Sequence, residues 1–217
     1  MRFSTTSAML VLTFAATTAV SASAGAAAAQ PCDPNAPGMN QMYLSECWGA
    51  QAKVADAALN AAYPKVKAGL HESGVDPAPL TDIQLAWIAA RDRVCNYEDD
   101  AMEGGSIGPM LYAECLDRMT RARTARLQAL LAIVKAKGGI PRAEPVSPKA
   151  EAEFKRVYGL LAQRIDPKGR AALAASQDAW VKYRDRACAF EGGNCATELA
   201  RERTTEIESG WMGERFW

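Results

Sequence analysis

Two stretches of this 217-residue chain combine side chains that could do chemistry, QLAWIAARDRVC at residues 84–95 and QDAWVKYRDRAC at residues 177–188. Seven of their twelve positions are identical, and each places a carboxylate, Asp92 or Asp185, directly after an arginine. An acid beside a guanidinium can polarise a substrate, so a catalytic site is one interpretation. However, no nucleophile or base recurs with the acids, and His71 is the single histidine. The repeat therefore favours a structural motif, and we predict that the protein is not an enzyme.

The shared residues of each stretch fall on one face of a helix at about 100° per residue. In the first copy this face contains Gln84, Trp87, Arg91 and Cys95; in the second it contains Gln177, Trp180, Arg184 and Cys188. An arginine on such a face needs a carboxylate to offset its desolvation.

A second helical pattern precedes each stretch and offers that carboxylate. It consists of Asp56, Leu59, Asn60 and Tyr63 in the first copy and of Glu151, Phe154, Lys155 and Tyr158 in the second. Turn-forming Gly, Pro and Asp residues separate the two patterns, which predicts an antiparallel helical hairpin. Counting along it brings Asp56 level with Arg91 and Glu151 level with Arg184, with Asp92 and Asp185 as alternative partners.

A third helix follows each hairpin, because Arg123 and Arg203 both lie eight residues after a cysteine and precede a threonine. The predicted fold is all-α, with two tandem disulfide-stapled helical-hairpin repeats of about three helices each. The expected organisation is a signal peptide at 1–29, repeat 1 at 30–137, a Gly- and Pro-containing linker at 138–147 and a degenerate repeat 2 at 148–217.

The amino terminus is typical of a secretory signal peptide, with one arginine, an apolar stretch from Ala8 to Val20 and small residues before a site after Ala29. A membrane anchor is the alternative, but the apolar stretch is short and rich in alanine. Without Arg2, 24 basic side chains face 25 acidic ones, which disfavours nucleic-acid binding. We therefore expect a periplasmic or secreted protein with no membrane span after cleavage.

Six cysteines in an exported chain predict disulfides, whereas the lack of a C-x-x-C pair disfavours zinc or another cofactor. Repeat 2 contains only Cys188 and Cys195, which suggests that they pair with each other. Symmetry then suggests Cys95–Cys115 in repeat 1 and leaves Cys32–Cys47. Pairing of Cys47 with Cys95 or Cys115 is the alternative.

The combination of a cysteine, D-x-x-L-N-x-x-Y at residues 56–63, Q-x-x-W-x-x-x-R-D-x-x-C at 84–95, a Gly-rich segment and a further cysteine resembles the LprI-type lysozyme inhibitor domain. Repeat 1 matches over nearly its whole length, whereas repeat 2 is a weaker match with fewer cysteines and a shorter cysteine loop. The resemblance implies an exported, disulfide-bonded helical domain that binds a protein partner, a lysozyme, and blocks its cleft. A non-enzymatic envelope module with another ligand is the alternative.

If the chain inhibits a lysozyme, the segment between Cys95 and Cys115 is the expected contact. It carries Glu98, Asp99, Asp100 and Glu103, together with Glu114, and no lysine or arginine. A disulfide-held acidic loop suits a basic partner, since unlike charges accelerate association. Acidic residues that are simply solvated are the alternative.

The last nine residues, SGWMGERFW, are rich in aromatic side chains and have no counterpart in repeat 1. They either cap the apolar seam between the repeats or form an exposed docking segment.

Overall fold

The computed structural model describes residues 32–33, 37–100 and 105–210, except for the side chains of residues 98–100 and 209–210. Several predicted features therefore lie outside the described residues. They are the signal peptide at 1–29, the side chains of Glu98, Asp99 and Asp100, Glu103, and the tail from Trp211.

The described residues form six α-helices and contain no strand. They are α1 (Gln41–Glu72), α2 (Pro79–Asp100), α3 (Gly108–Lys137), α4 (Pro148–Arg164), α5 (Pro167–Glu191) and α6 (Cys195–Gly210). This confirms the all-α prediction with three helices in each repeat.

Local sequence sets the helix ends. Asn40 caps α1 by accepting a hydrogen bond from the Tyr43 backbone N–H at 3.0 Å, and Asp166 caps α5 in the same way through Gly169 at 2.6 Å. Such side chains satisfy backbone donors that have no partner within the helix. At the carboxyl end of α3, Gly138 adopts the left-handed conformation with φ of 75° that closes many helices.

The first and third helices of each repeat pack side by side and run in the same direction. Gln51 of α1 meets Arg121 of α3, and further along both helices Gly69 lies against Leu131. In repeat 2, Ser147, just before α4, bonds Thr197 near the start of α6. Further along both helices, Arg156 of α4 pairs with Glu208 of α6.

The middle helices, α2 and α5, pack against each other across the repeats and run antiparallel. Ile83, near the start of α2, lies by Phe190 at the end of α5, whereas Tyr97 at the end of α2 lies by Ala172 near the start of α5. Helices α3 and α6 also run antiparallel, because Arg118 meets Glu206 and Arg126 meets Glu198. The repeats are therefore related by an approximate two-fold axis.

This pairing differs from the simple hairpin expected within each repeat. The helix packed closely along α1 is α3, and the helix packed closely along α4 is α6. Helix α2 instead meets α1 through side chains, as where Lys67 Nζ donates to Thr81 Oγ1 at 3.3 Å. The apolar face of α2 contains Trp87, which belongs to one core cluster with Trp180 and Tyr183 of α5.

The main apolar core runs through both repeats. It joins Leu70, Leu80, Trp87 and Leu127 of repeat 1 to residues of repeat 2 that include Trp180, Tyr183 and Leu199. Within the described residues, no helix has the length and apolar content needed to cross a membrane.

The predicted linker is attached to the cysteine loop of repeat 2. The backbone N–H of Gly193 donates to the Arg142 carbonyl at 3.1 Å, and the N–H of Glu144 donates to the Gly193 carbonyl at 2.7 Å. Close approach requires glycine here, because a Cβ atom at Gly192 would lie 1.9 Å from the Pro141 carbonyl oxygen.

Candidate functional site

The repeated arginines cover the repeated tryptophans. Arg91 lies over the Trp87 ring at 5.0 Å from its centre, and its Nε and Nη2 both donate to Asp92 Oδ1, at 2.9 and 2.8 Å. The Arg91 side chain is 17% exposed, while the Trp87 indole belongs to the core. The guanidinium thus shields one edge of the core and is neutralised by its sequence neighbour.

Repeat 2 reproduces this geometry. Arg184 lies 5.3 Å from the centre of the Trp180 ring and donates to Asp185 Oδ1 from Nε at 2.8 Å and from Nη2 at 2.6 Å. This indole also stacks with Phe154, with ring centres 5.7 Å apart. Both copies therefore have a structural arrangement in which the adjacent aspartate is the ion-pair partner.

Asp56 and Glu151 were the acids predicted to lie level with these arginines. In the structure each has a partner on its own helix. Asp56 accepts a hydrogen bond from Asn60 at 2.9 Å, and Glu151 pairs with Lys155 at 2.7 Å. The hydrogen bond and charge of Lys155 hold the pKa of Glu151 below its ordinary value, and Arg184 adds a weaker effect. The reason lies in the helix packing. Helix α1 packs along α3 and α4 packs along α6, so counting residues along a hairpin of the first two helices does not identify the partners of the arginines.

The upstream tyrosines lie at the edges of the two apolar clusters. Tyr63 packs against the main core, with Lys67 Nζ 5.7 Å from the centre of its ring. Tyr158 packs with Val157 and Leu161 in a smaller cluster, and partial burial raises the pKa of its hydroxyl. Their recurrence reflects packing.

A buried ion-pair network at the third helix was not predicted from the sequence. Arg123 is 2% exposed; its Nε donates to Gln84 Oε1 at 3.0 Å and its Nη1 to the Tyr183 hydroxyl at 3.3 Å. The carboxylate of Glu191 lies 3.6 Å from Arg123 Nη1 and 2.7 Å from Arg126 Nη2. Burial by itself would lower the pKa of Arg126, but the charges of Glu191, Tyr183 and Glu202 and the hydrogen bond to Glu191 together outweigh burial, and the pKa is raised.

Repeat 2 contributes the counterpart, Arg203, which is 3% exposed and donates to Glu206 at 2.6 Å. Arg118 of repeat 1 binds the same carboxylate at 2.8 Å. Burial by itself would raise the pKa of Glu206, but the two guanidinium groups outweigh burial and hold that pKa below its ordinary value. The sequence signal was the recurrence of Arg123 and Arg203 at one distance from a cysteine, and only the packing reveals their partners.

Arg118, Arg123, Arg126, Arg203 and Glu206 line a cleft of about 440 Å³ between α3 and α6. Trp87 and Trp180, the repeated tryptophans, also belong to its lining. Arginines from both repeats surround it, together with Glu202, whose pKa is raised by burial. No group of metal-binding side chains occurs among the described residues.

Three disulfides join Cys32 to Cys47, Cys95 to Cys115 and Cys188 to Cys195. This is the pairing that the symmetry between the repeats suggested. The Cys95–Cys115 bridge holds Cα atoms 5.5 Å apart across 20 residues, whereas Cys188–Cys195 spans 7. Three disulfides indicate an oxidising compartment outside the cytoplasm.

Comparison with known proteins identifies relatives. A family model described as lysozyme inhibitor LprI matches residues 32–127 and again residues 146–207. An uncharacterized protein of Rhizobium meliloti (strain 1021) is 36% identical over 104 residues, which cover 43% of this chain and 75% of that protein. No solved structure matches the chain.

Proposed function

The chain belongs to the LprI lysozyme inhibitor family, and we propose that it is an exported protein that binds a lysozyme and blocks its cleft without chemistry of its own. The observation that carries this proposal is the match of the family model to both repeats. A signal peptide at 1–29 would direct the chain to the periplasm or the exterior, where the three disulfides can form.

We place the contact in the acidic segment between Cys95 and Cys115. Five of its residues are acidic and none is basic, although the chain as a whole contains 25 residues of each sign. The disulfide holds both ends of the segment on the helical scaffold, which reduces the entropy that ordering on a partner would cost. A concentrated negative charge steers a basic partner during association.

The position of two of these acids favours a role in binding over a role in stability. Helix α2 ends at Asp100, so Asp99 and Asp100 lie in its last turn, which contains no basic residue. Carboxylates at this end of a helix are disfavoured by the helix dipole, typically by about 0.3–1 kcal/mol each. Acids that oppose the local electrostatics are expected where a partner supplies the compensating charge.

The ends of two candidate contact segments lie together. Tyr97, which leads into the acidic segment, packs in one apolar cluster with Ile207, three residues before the end of α6. The carboxyl ends of α2 and α6 therefore lie on the same side of the described fold.

Titration of several lysozyme classes with the oxidised protein tests the proposal. We expect one-to-one binding by calorimetry, together with loss of lytic activity. Glu98→Gln, Asp99→Asn, Asp100→Asn and Glu103→Gln combined should weaken inhibition at least about tenfold and reduce its sensitivity to salt.

A matched control variant neutralises two glutamates and two aspartates on exposed surfaces elsewhere, namely Glu72, Glu144, Asp82 and Asp178. It has the same net charge and should inhibit as the natural protein does. Equal losses in both variants would mean that overall charge is responsible and would reject the segment. Absence of binding to every lysozyme class at micromolar protein would reject inhibition itself.

A further inference from the structure

We propose that the cleft between α3 and α6 is a binding site for a small organic anion, one with a flat apolar body and a carboxylate or phosphate group. This goes beyond lysozyme inhibition and does not depend on it. The volume of about 440 Å³ lies within the range of roughly 300–1,000 Å³ found for small-molecule sites.

The charge around the cleft is unbalanced. Five arginines line it against two glutamates, in a chain whose formal net charge is zero. Among the charged side chains of the lining that are at most 12% exposed, three are cations and one is a carboxylate, namely Arg123, Arg126 and Arg203 against Glu206. Glu191, which lies outside the lining, pairs with Arg123 and Arg126. A bound anion would neutralise the excess cation and offset the cost of its burial.

Two guanidinium groups of the lining have incomplete hydrogen bonding. Arg123 Nη2 and Arg203 Nε are shielded from solvent and have no hydrogen-bond partner among the described residues, so part of each buried positive charge is uncompensated by hydrogen bonds. The two arginines come from equivalent places in the two repeats and both line the cleft. At the rim, Arg201 is an exposed cation on the same side of α6.

The rest of the lining accounts for the flat apolar body. It is mainly apolar, and it includes the Trp87 and Trp180 rings, Met119 and Leu199. An apolar lining favours contact with an apolar group, while guanidinium groups form strong, charge-assisted hydrogen bonds with carboxylate or phosphate oxygens. A simple inorganic anion would leave this apolar lining unused.

Calorimetric titration with 2-naphthoate and with its neutral counterpart, 2-naphthamide, tests the proposal on the natural protein without lysozyme. We expect naphthoate to bind one-to-one and at least about tenfold more tightly than the amide, because only the acid pairs with the arginines. Titration with 2-naphthyl phosphate in parallel distinguishes a carboxylate from a phosphate ligand. Equal affinity for the acid and the amide, or no binding of either acid, would overturn the proposal.

The position of the site is tested by filling it. Ala122 is exposed on α3 at the mouth of the cleft, so Ala122→Phe should weaken naphthoate binding at least about tenfold by occlusion. Ala61→Phe makes the same change on an exposed face of α1 and should have no effect. Similarly, Arg201→Gln should weaken binding, and Arg186→Gln on α5 should not.

Nuclear magnetic resonance provides a measurement that does not require any variant to fold. Naphthoate should shift the indole N–H signals of Trp87 and Trp180 and leave that of Trp48, on α1, unchanged. Shifts confined to Trp48, or undiminished binding to folded Ala122→Phe, would place the anion elsewhere and contradict the proposal.

Discussion

The two cysteine loops occupy equivalent places in the two repeats but differ in what they contact. The loop of repeat 2 spans 7 residues. Its Gly193 binds the linker, and its Glu191 pairs with Arg126 of repeat 1. The loop of repeat 1 spans 20 residues and collects five acids. The short loop therefore has a structural role, whereas we propose that the acids of the long loop have a role in binding. Inhibition should therefore depend on repeat 1.

The largest expected effect concerns Glu191. Glu191→Leu keeps the side-chain volume but leaves Arg123 and Arg126 without their buried carboxylate, so we expect a loss of about 3–5 kcal/mol in the free energy of unfolding. Glu198→Leu removes an exposed partner of Arg126 at 3.8 Å and should cost less than about 1 kcal/mol. Urea unfolding measures both, and equal costs would contradict a structural role for the short loop.

A second prediction extends this comparison to repeat 1. The acids at the carboxyl end of α2 belong to the segment that we propose as the contact with a partner. Because the helix dipole disfavours carboxylates at this end, Asp99→Asn with Asp100→Asn should raise stability slightly and weaken inhibition. Unfolding and lysozyme titration of the double variant test this, and a loss of stability would contradict a role in binding alone.

Glycine substitution tests the attachment of the linker. Gly192→Ala places a Cβ atom 1.9 Å from the Pro141 oxygen and strains a residue with φ of 64°, so we expect a loss of about 3 kcal/mol. At Gly193 the nearest atom would be 3.4 Å away, so Gly193→Ala should cost only about 1–2 kcal/mol for its φ of 55°. Thermal unfolding distinguishes them, and similar values would indicate that the linker moves freely.

The stabilisation that each disulfide provides should increase with the length of the loop that it closes. In the chain-entropy relation, removal of Cys95–Cys115 by paired serine substitutions costs about 3 kcal/mol, and removal of Cys188–Cys195 costs about 2 kcal/mol. Only the first removal should also weaken inhibition, because only that bridge holds the acidic segment. Urea unfolding of the two variants measures which disulfide contributes more to stability, and lysozyme titration measures which of them affects inhibition.

The smallest expected effect is a pH dependence from Glu206. Because its pKa is lowered in the folded protein, Glu206 stabilises the fold above the pKa of the unfolded chain, about 4.3, and this contribution is lost as the pH falls through the folded pKa. The difference in the free energy of unfolding between the natural protein and Glu206→Gln should therefore decrease as the pH falls from 6 to 3. A constant difference would contradict the ion pairs with Arg203 and Arg118.

The sequence was sufficient to predict the helices, their number and the disulfides suggested by symmetry, since each follows from local spacing and from the repeat. The partners of the arginines depended on which helices touch. Counting residues along a hairpin paired Arg91 with Asp56, but α1 packs on α3 and Arg91 binds Asp92. The link between Arg123 and Glu191 crosses the repeats, and no spacing within one repeat predicts it.

The antiparallel packing of α2 on α5 has a consequence for any chain that contains a single copy of this unit. In this protein the apolar core around Trp87 is shared with the second copy, and residues of both copies line the cleft. A one-copy chain would leave that apolar face open to water, which is unfavourable for so large a surface. We expect such a chain to associate as a symmetric homodimer through its middle helix.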